Sequence, residues 1–416
     1  MSLRVKGQVW WLDPIKVLLA TIGVLGFSSV LVPDEYYRAF YFAPKYIDEY
    51  YIASLVVIAL ALWFGGRLGA AMPAPVRDDE YRNSFFSRKD IFYVFLISSF
   101  LCMFGYVYWL FGAMRAGFSW SVILAAFQDS YVGSIKYQYF LNSRVVGLTS
   151  LTQLGVFVLV LGCNIWVSSF RRRRAVSVVL LGLMFFAFLR ALLVSERLAM
   201  IELIVPFVVL YYRGKSFTRR RRLVLSLAPV IFLSTGILLF SLFEYYRSFS
   251  GGWLDSLGFG GFSLLGYGAV LFLGYYLTAL NNNAMLLGAW AYPYPYFSIL
   301  PWLKLSGSDT EAGVLYKELL SKMAFTGFNN TGGYLLPILD FGWFFGVAYF
   351  VFFGWLVRWA YAAFVFGSPL ALLVYPFLFV CIIDLPRVNY FLEGRAIPFW
   401  IGIVLVLLVS TKRGVR

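Results

Sequence analysis

The chain has 416 residues, of which 61% are hydrophobic and only 13% charged, with 43 Phe, 29 Tyr and 13 Trp. That composition excludes an ordinary soluble domain and indicates a polytopic membrane protein. The net charge of +15 does not point to nucleic acid, because the basic residues fall in short runs between apolar spans and read as topology signals. The chain lacks His, which excludes His-based triads, His metal sites and His proton relays. Cys102, Cys163 and Cys381 each lie inside an apolar run, so they predict core or lipid-facing fillers rather than disulfides or a thiolate metal site.

At about 20 apolar residues per crossing, spans are predicted near 15–33, 49–66, 91–112, 146–169, 175–194, 197–212, 223–243, 333–357, 369–385 and 397–411. The expected fold class is an all-α polytopic membrane protein of about ten transmembrane helices, with twelve as the alternative. Three regions follow: membrane helices over 1–243, an external loop over 244–332, and membrane helices over 333–416. Threading from a cytoplasmic start puts Arg4, Lys6, Lys16, the Arg67–Lys89 segment, Arg171–Arg174, Arg213–Arg222, Arg358 and Lys412–Arg416 on one side. Well over half of the 35 Lys and Arg residues then face the cytoplasm with both termini, as the positive-inside rule expects. The first span lacks a small-residue cleavage site and reads as retained.

The stretch "RALLVSERLAM", residues 190–200, sits between the basic clusters ending at Arg174 and starting at Arg213. As one helix that interval would run roughly 57 Å and overshoot the bilayer, so a hairpin is expected, turning around Val194–Glu196. Arg190, Glu196 and Arg197 then lie near the outer leaflet. An arginine toward the membrane interior costs about 2.5–3.5 kcal/mol on insertion scales. One reading is that Arg190 snorkels or pairs with Glu196 to hold the turn; the other is that these residues face a cavity holding an anion.

From Glu244 to about Thr331 runs an external loop of roughly 90 residues, too long for a simple connector. Its portion from Gly260 to Leu280 is apolar enough for a span, but nothing basic follows "NNN", Asn281–Asn283, so a re-entrant or interfacial helix is predicted there. "AYPYPY", Ala291–Tyr296, should be extended, serving as an aromatic belt or as a platform for sugar faces. Gly258, Gly260 and Gly261 do not complete a nucleotide fingerprint.

The external side gathers Arg190, Arg197, Arg247, Arg387 and Arg395, beside Tyr245, Asn282, Asn329, Asn330, Asp340 and Glu393. Guanidinium forks match phosphate oxygens and keep their charge at any relevant pH, so the set suggests a lipid phosphate or pyrophosphate head group, against ordinary interfacial anchoring. No external acidic pair has metal-ligand spacing, so neither a metal nor a cofactor is expected.

The "SER" at a hairpin turn, "EYYRS" opening a long external loop, and "NNTGGYLLPILDFGWFFGVAYFVFFGWLVRWAY" over Asn329–Tyr361 resemble the bacterial oligosaccharide repeat unit polymerases, the Wzy or O-antigen polymerases. The resemblance implies a GT-C-like membrane glycosyltransferase, related in architecture to O-antigen ligases, in the bacterial inner membrane with its site facing the periplasm. It would join undecaprenyl-pyrophosphate-linked repeat units, with membrane lipids around it and a chain-length regulator and a flippase as possible partners. On this reading Arg190, Arg197 and Arg247 clamp the pyrophosphate, with Arg387 and Arg395 behind them. The base candidates are Glu196, Glu393 and Glu244. Asn282, Asn329 and Asn330 orient sugar hydroxyls or serve as loop and cap residues, and Asp340 pairs with an arginine. Related ligases use an external His that this chain lacks. Two alternatives stay open: a lipid-linked oligosaccharide flippase, and a transferase using a polyprenyl-monophosphate donor, for which "PDEYYRAF", Pro33–Phe40, would be the acidic motif.

Overall fold

The structure, a computed structural model, describes residues 9–72, 79–119, 121–122, 139–140, 147–194, 198–213, 218–248, 264–289, 311–324 and 329–411. Among these there is no strand; the chain is built from helices. In chain order they are α1 Pro14–Leu31, α2 Asp34–Tyr41, α3 Glu49–Ala71, α4 Asp79–Ser87, α5 Lys89–Arg115, α6 Gly155–Ser168, α7 Arg173–Val194, α8 Leu198–Tyr212, α9 Arg219–Ser226 and α10 Ala228–Ser248. Then come α11 Leu264–Ala289, α12 Glu311–Met323, α13 Leu336–Phe366, α14 Pro369–Asp384 and α15 Ile397–Thr411. A 3-10 turn, Thr149–Leu154, leads into α6.

Among the described residues, seven helical segments, including α1, α3, α5, α7 and α13, are long and apolar enough to cross a membrane. Shorter apolar helices occupy Leu198–Tyr212, Ala228–Leu238 and Pro369–Asp384. The outward faces of the long helices carry large apolar side chains such as Phe27, Phe100, Leu181 and Phe344, a surface that only lipid tolerates at this extent. The expected hairpin is present: α7 ends at Val194 and α8 starts at Leu198.

Helices in lipid gain nothing from apolar burial against one another, so close approach and polar contacts must hold them. The α3–α13 pair shows the first device. A Cβ at Gly65 would strike the Val351 carbonyl, one at Gly354 the Leu62 carbonyl, and one at Gly69 would lie 2.5 Å from the Trp355 carbonyl oxygen. Residue numbers rise together along the seam, so the two helices run parallel. Helix α6 lies at the centre of the array, with Val156 through Leu161 buried and the Phe157 ring seated on Gly402 of α15.

Hydrogen bonds define two ends of the array. At the basic end, Trp11 donates to the Leu225 carbonyl, Arg172 to the Arg88 carbonyl, Arg88 to the Val409 carbonyl and Arg213 to the Phe364 carbonyl, while Arg358 pairs with Asp13. The distal end is joined by the second device, buried amides. Helix α11 continues through Asn281–Asn283 to Ala289, past the Gly260 to Leu280 portion expected from the sequence. The three amides are 0–2% exposed and find partners outside their own helix, so burial does not strand them. Asn281 accepts from the Tyr46 N–H and donates to the Pro44 carbonyl, Asn282 donates to the Asn330 carbonyl, and Asn283 donates to the Thr331 carbonyl and accepts from the Leu335 N–H. The strip they hold is bonded onward, since Gly332 N–H donates to the Arg387 carbonyl and Gly333 N–H to that of Leu385. Tyr46 also donates to the carbonyl of Met323, which ends α12.

A cluster of charged and amide side chains at the distal end

The segment Leu335–Gly346 is shaped by its glycines. Gly342 has φ 75° and ψ 175°, backbone that only glycine adopts readily. The turn Leu336–Phe341 therefore breaks away from the rest of α13 and folds back on it, with Ile338 against Gly346, where a Cβ would sit 2.6 Å from the Ile338 Cα. Asp340 lies in this folded-back turn and is fully buried. Gly332 (φ 65°) and Gly333 perform the matching task upstream, Gly333 lying so close to Asn389 that a Cβ would be 2.7 Å from its backbone nitrogen.

Next to this strip, the loop after α14 presents three of the expected polar residues. Arg387 donates Nε and Nη2 to the two oxygens of Asp384 at 2.8 and 2.7 Å, with its guanidinium 5.8 Å from the centre of the Tyr275 ring. Such a filled fork is a structural ion pair. Arg395 sits in the 3-10 turn Gly394–Ala396, and its Nη1 approaches Glu202 Oε1 at 3.4 Å. The same oxygen accepts from the Tyr390 hydroxyl at 2.6 Å. Glu202 is 8% exposed on the apolar helix α8. Glu393 is half-buried immediately before the turn.

Arg190, in the last turn of α7, donates Nη1 to the Thr152 hydroxyl, so the expected pairing with Glu196 gains a described alternative. Thr152 belongs to the 3-10 turn before α6, and its carbonyl accepts from Cys102. That turn packs against both α15 and the turn carrying Arg395. The structure thus brings Arg190, Arg395, Glu202 and Tyr390 to one region of the distal end, and places Arg387 beside it in a closed pair. Asn282 and Asn330 meet each other through the Asn282 amide and the Asn330 carbonyl, while Asn329 is exposed. Glu196 and Arg197 lie outside the described residues, as do Ala291–Tyr296 and Gly258, Gly260 and Gly261. For Tyr245 and Arg247 the backbone is described as the last turns of α10, and nothing is described of their side chains.

Among the described residues, no three Cys, Asp or Glu side chains converge as metal ligands would. No family model, no curated protein and no solved structure matches this chain. What the site can do chemically rests on its own groups: guanidinium donors, an intramembrane carboxylate and a phenol, held by amides and glycine-rich backbone. Glu202, Tyr390, Thr152 and Asp384 are absent from the sequence-derived set. Glu202 had a signal, a single carboxylate within "LAMIELIVPF", because an ionisable residue inside an apolar span marks a functional position by default.

Proposed function

We propose that the chain is a membrane glycosyltransferase that polymerises undecaprenyl-pyrophosphate-linked oligosaccharide repeat units, working at its distal end. The observation that carries this reading is the placement of Arg190 and Arg395, with Glu202 and Tyr390, at the end of the array opposite the dense basic clusters. Lys and Arg runs mark the cytoplasmic side, so the distal end faces the periplasm, about ten helices cross the membrane, and both termini are cytoplasmic. The resemblance of Asn329–Tyr361 to the repeat unit polymerases supports the same reading.

At the anomeric carbon the reaction forms one bond and breaks one, and one proton changes hands. An acceptor hydroxyl attacks the anomeric carbon of the lipid-linked chain, the bond from that carbon to pyrophosphate oxygen breaks, and the pyrophosphate leaves with the electron pair. Charge builds on the leaving group, where preorganised guanidinium donors act best. Arg190 and Arg395 serve there, with Arg197 and Arg247 added from the sequence. Arg387 holds Asp384 and supports the loop. The hydroxyl proton passes to a carboxylate, for which Glu393, Glu196 and Glu202 are the candidates.

The test is a gel of surface glycans after deleting the gene in its host and restoring it as wild type, Arg395→Ala or Arg190→Lys. The last variant keeps the charge and loses the fork. Collapse of a long-chain ladder to one repeat unit, restored by wild type and by neither variant at equal membrane levels, supports the proposal. Long chains that persist in the deletion strain refute it.

A further inference from the structure

We propose that a groove between the distal ends of α1 and α3 is a binding site for an ethanolamine phospholipid. The groove is open, has a volume of about 510 Å³, and is walled by aliphatic side chains including Val30, Ile52 and Val56, of which Val30 and Val56 are more than half exposed. Walls of this kind suit an acyl chain. Its rim carries Lys45, Asp48 and Glu49, where α1 has just ended and α3 begins, the level at which headgroups meet a span.

The free valences at the rim select the headgroup. The Lys45 ammonium has three donors. Two go to the carbonyls of Val30 and Val32, which leaves one N–H for a phosphate oxygen. Asp48 uses Oδ1 to cap α3 at the Tyr51 N–H and keeps Oδ2. The Glu49 carboxylate has no ion pair among the described residues. One cation and two carboxylates give the rim a net negative charge. An anionic headgroup such as phosphatidylglycerol can engage Lys45 but meets two carboxylates with nothing to offer them. A pyrophosphate fares worse, so this groove is separate from the arginine region. An ethanolamine headgroup satisfies both signs, its phosphate taking the Lys45 N–H and its ammonium the Glu49 and Asp48 oxygens.

The experiment uses the full chain in detergent micelles and no enzymatic readout, so it stands apart from the polymerase reading. Phosphatidylethanolamine and phosphatidylglycerol of matched acyl chains compete for the protein, and lipid-bound species are quantified by native mass spectrometry. The expected result is preferential retention of phosphatidylethanolamine, about three- to fivefold weaker in Glu49→Gln, with the preference reversed toward phosphatidylglycerol in Glu49→Lys. Reversal is a gain that a misfolded protein does not show. Ala53→Trp, which fills the groove, should release both lipids while leaving the melting temperature in place. Equal retention of the two lipids by wild type overturns the proposal, as does a preference that survives both Glu49 substitutions.

Discussion

Asn283→Ala is the sharpest probe of how the distal end is held. Asn283 is fully buried and makes two side-chain hydrogen bonds, at 2.8 Å to the Thr331 carbonyl and 3.1 Å from the Leu335 N–H. Alanine removes both and supplies no replacement. A buried backbone group left unsatisfied costs about 1–3 kcal/mol; the Leu335 N–H is buried and the Thr331 carbonyl only partly so, so the two together predict a loss of roughly 2–6 kcal/mol, in its lower half, large for a single site. The loss should be local first, because Leu335 N–H is the last amide before α13 and Thr331 belongs to the strip bonded to Leu385 and Arg387. Thermal unfolding of the purified protein should shift downward. Hydrogen exchange at the Leu335 amide should accelerate before exchange in the α3–α13 seam does. An unchanged melting temperature together with unchanged protection at Leu335 would refute the claim that the amide triplet fastens these segments.

Three other outcomes are expected. Gly354→Val places a branched side chain against the Leu62 carbonyl and should destabilise the α3–α13 pair by at least the ~1–3 kcal/mol typical of overpacking, read as a lowered unfolding temperature. Gly342→Ala forces alanine into a conformation reserved for glycine and should cost about 1–3 kcal/mol, measured the same way. Asp34 accepts from the Lys45 N–H at 2.7 Å and from Arg38. Those bonds, the backbone one foremost, hold its pKa below the ordinary 3.8. A lowered carboxylate pKa stabilises the fold above its unfolded value and loses that contribution as pH falls through the folded one. Acidification below about pH 4 should therefore loosen the α2–Lys45 loop in hydrogen exchange, and Asp34→Asn should abolish that pH dependence.

The membrane architecture was legible because long apolar runs separated by basic clusters carry their own ruler: the hairpin at 194–198 follows from a length too great for one crossing. The folded-back turn at Leu336–Phe341 was visible only as a peculiarity, Asp-Phe-Gly with a second Gly nearby. Its cause, a backbone that needs Gly342 and a contact that needs Gly346, emerges in three dimensions. The apolar portion read from the sequence stops at Leu280, short of the end of α11, for an instructive reason. Three consecutive asparagines are poor in an isolated helix interior, but here their amides satisfy carbonyls and N–H groups of distant segments, and tertiary bonding overrides propensity. The arginines could be named from sequence, yet not sorted, because a closed fork such as Arg387–Asp384 and a shared carboxylate such as Glu202 depend on which loops meet. The partners at Glu196, Arg197 and the Arg247 side chain lie outside the described residues.

The parallel seam of α3 and α13 has a mechanical corollary. With glycine positions pressed against main-chain carbonyls on both sides, the pair has no side-chain cushion through which to slide or shear, so it moves as a single spar. One tip of that spar bears Glu49 and the groove wall at Ile52 and Val56; beside it stands the folded-back turn with Asp340. Rearrangement at the distal end then falls to the neighbours of the spar, while the spar itself supplies the frame against which they would move.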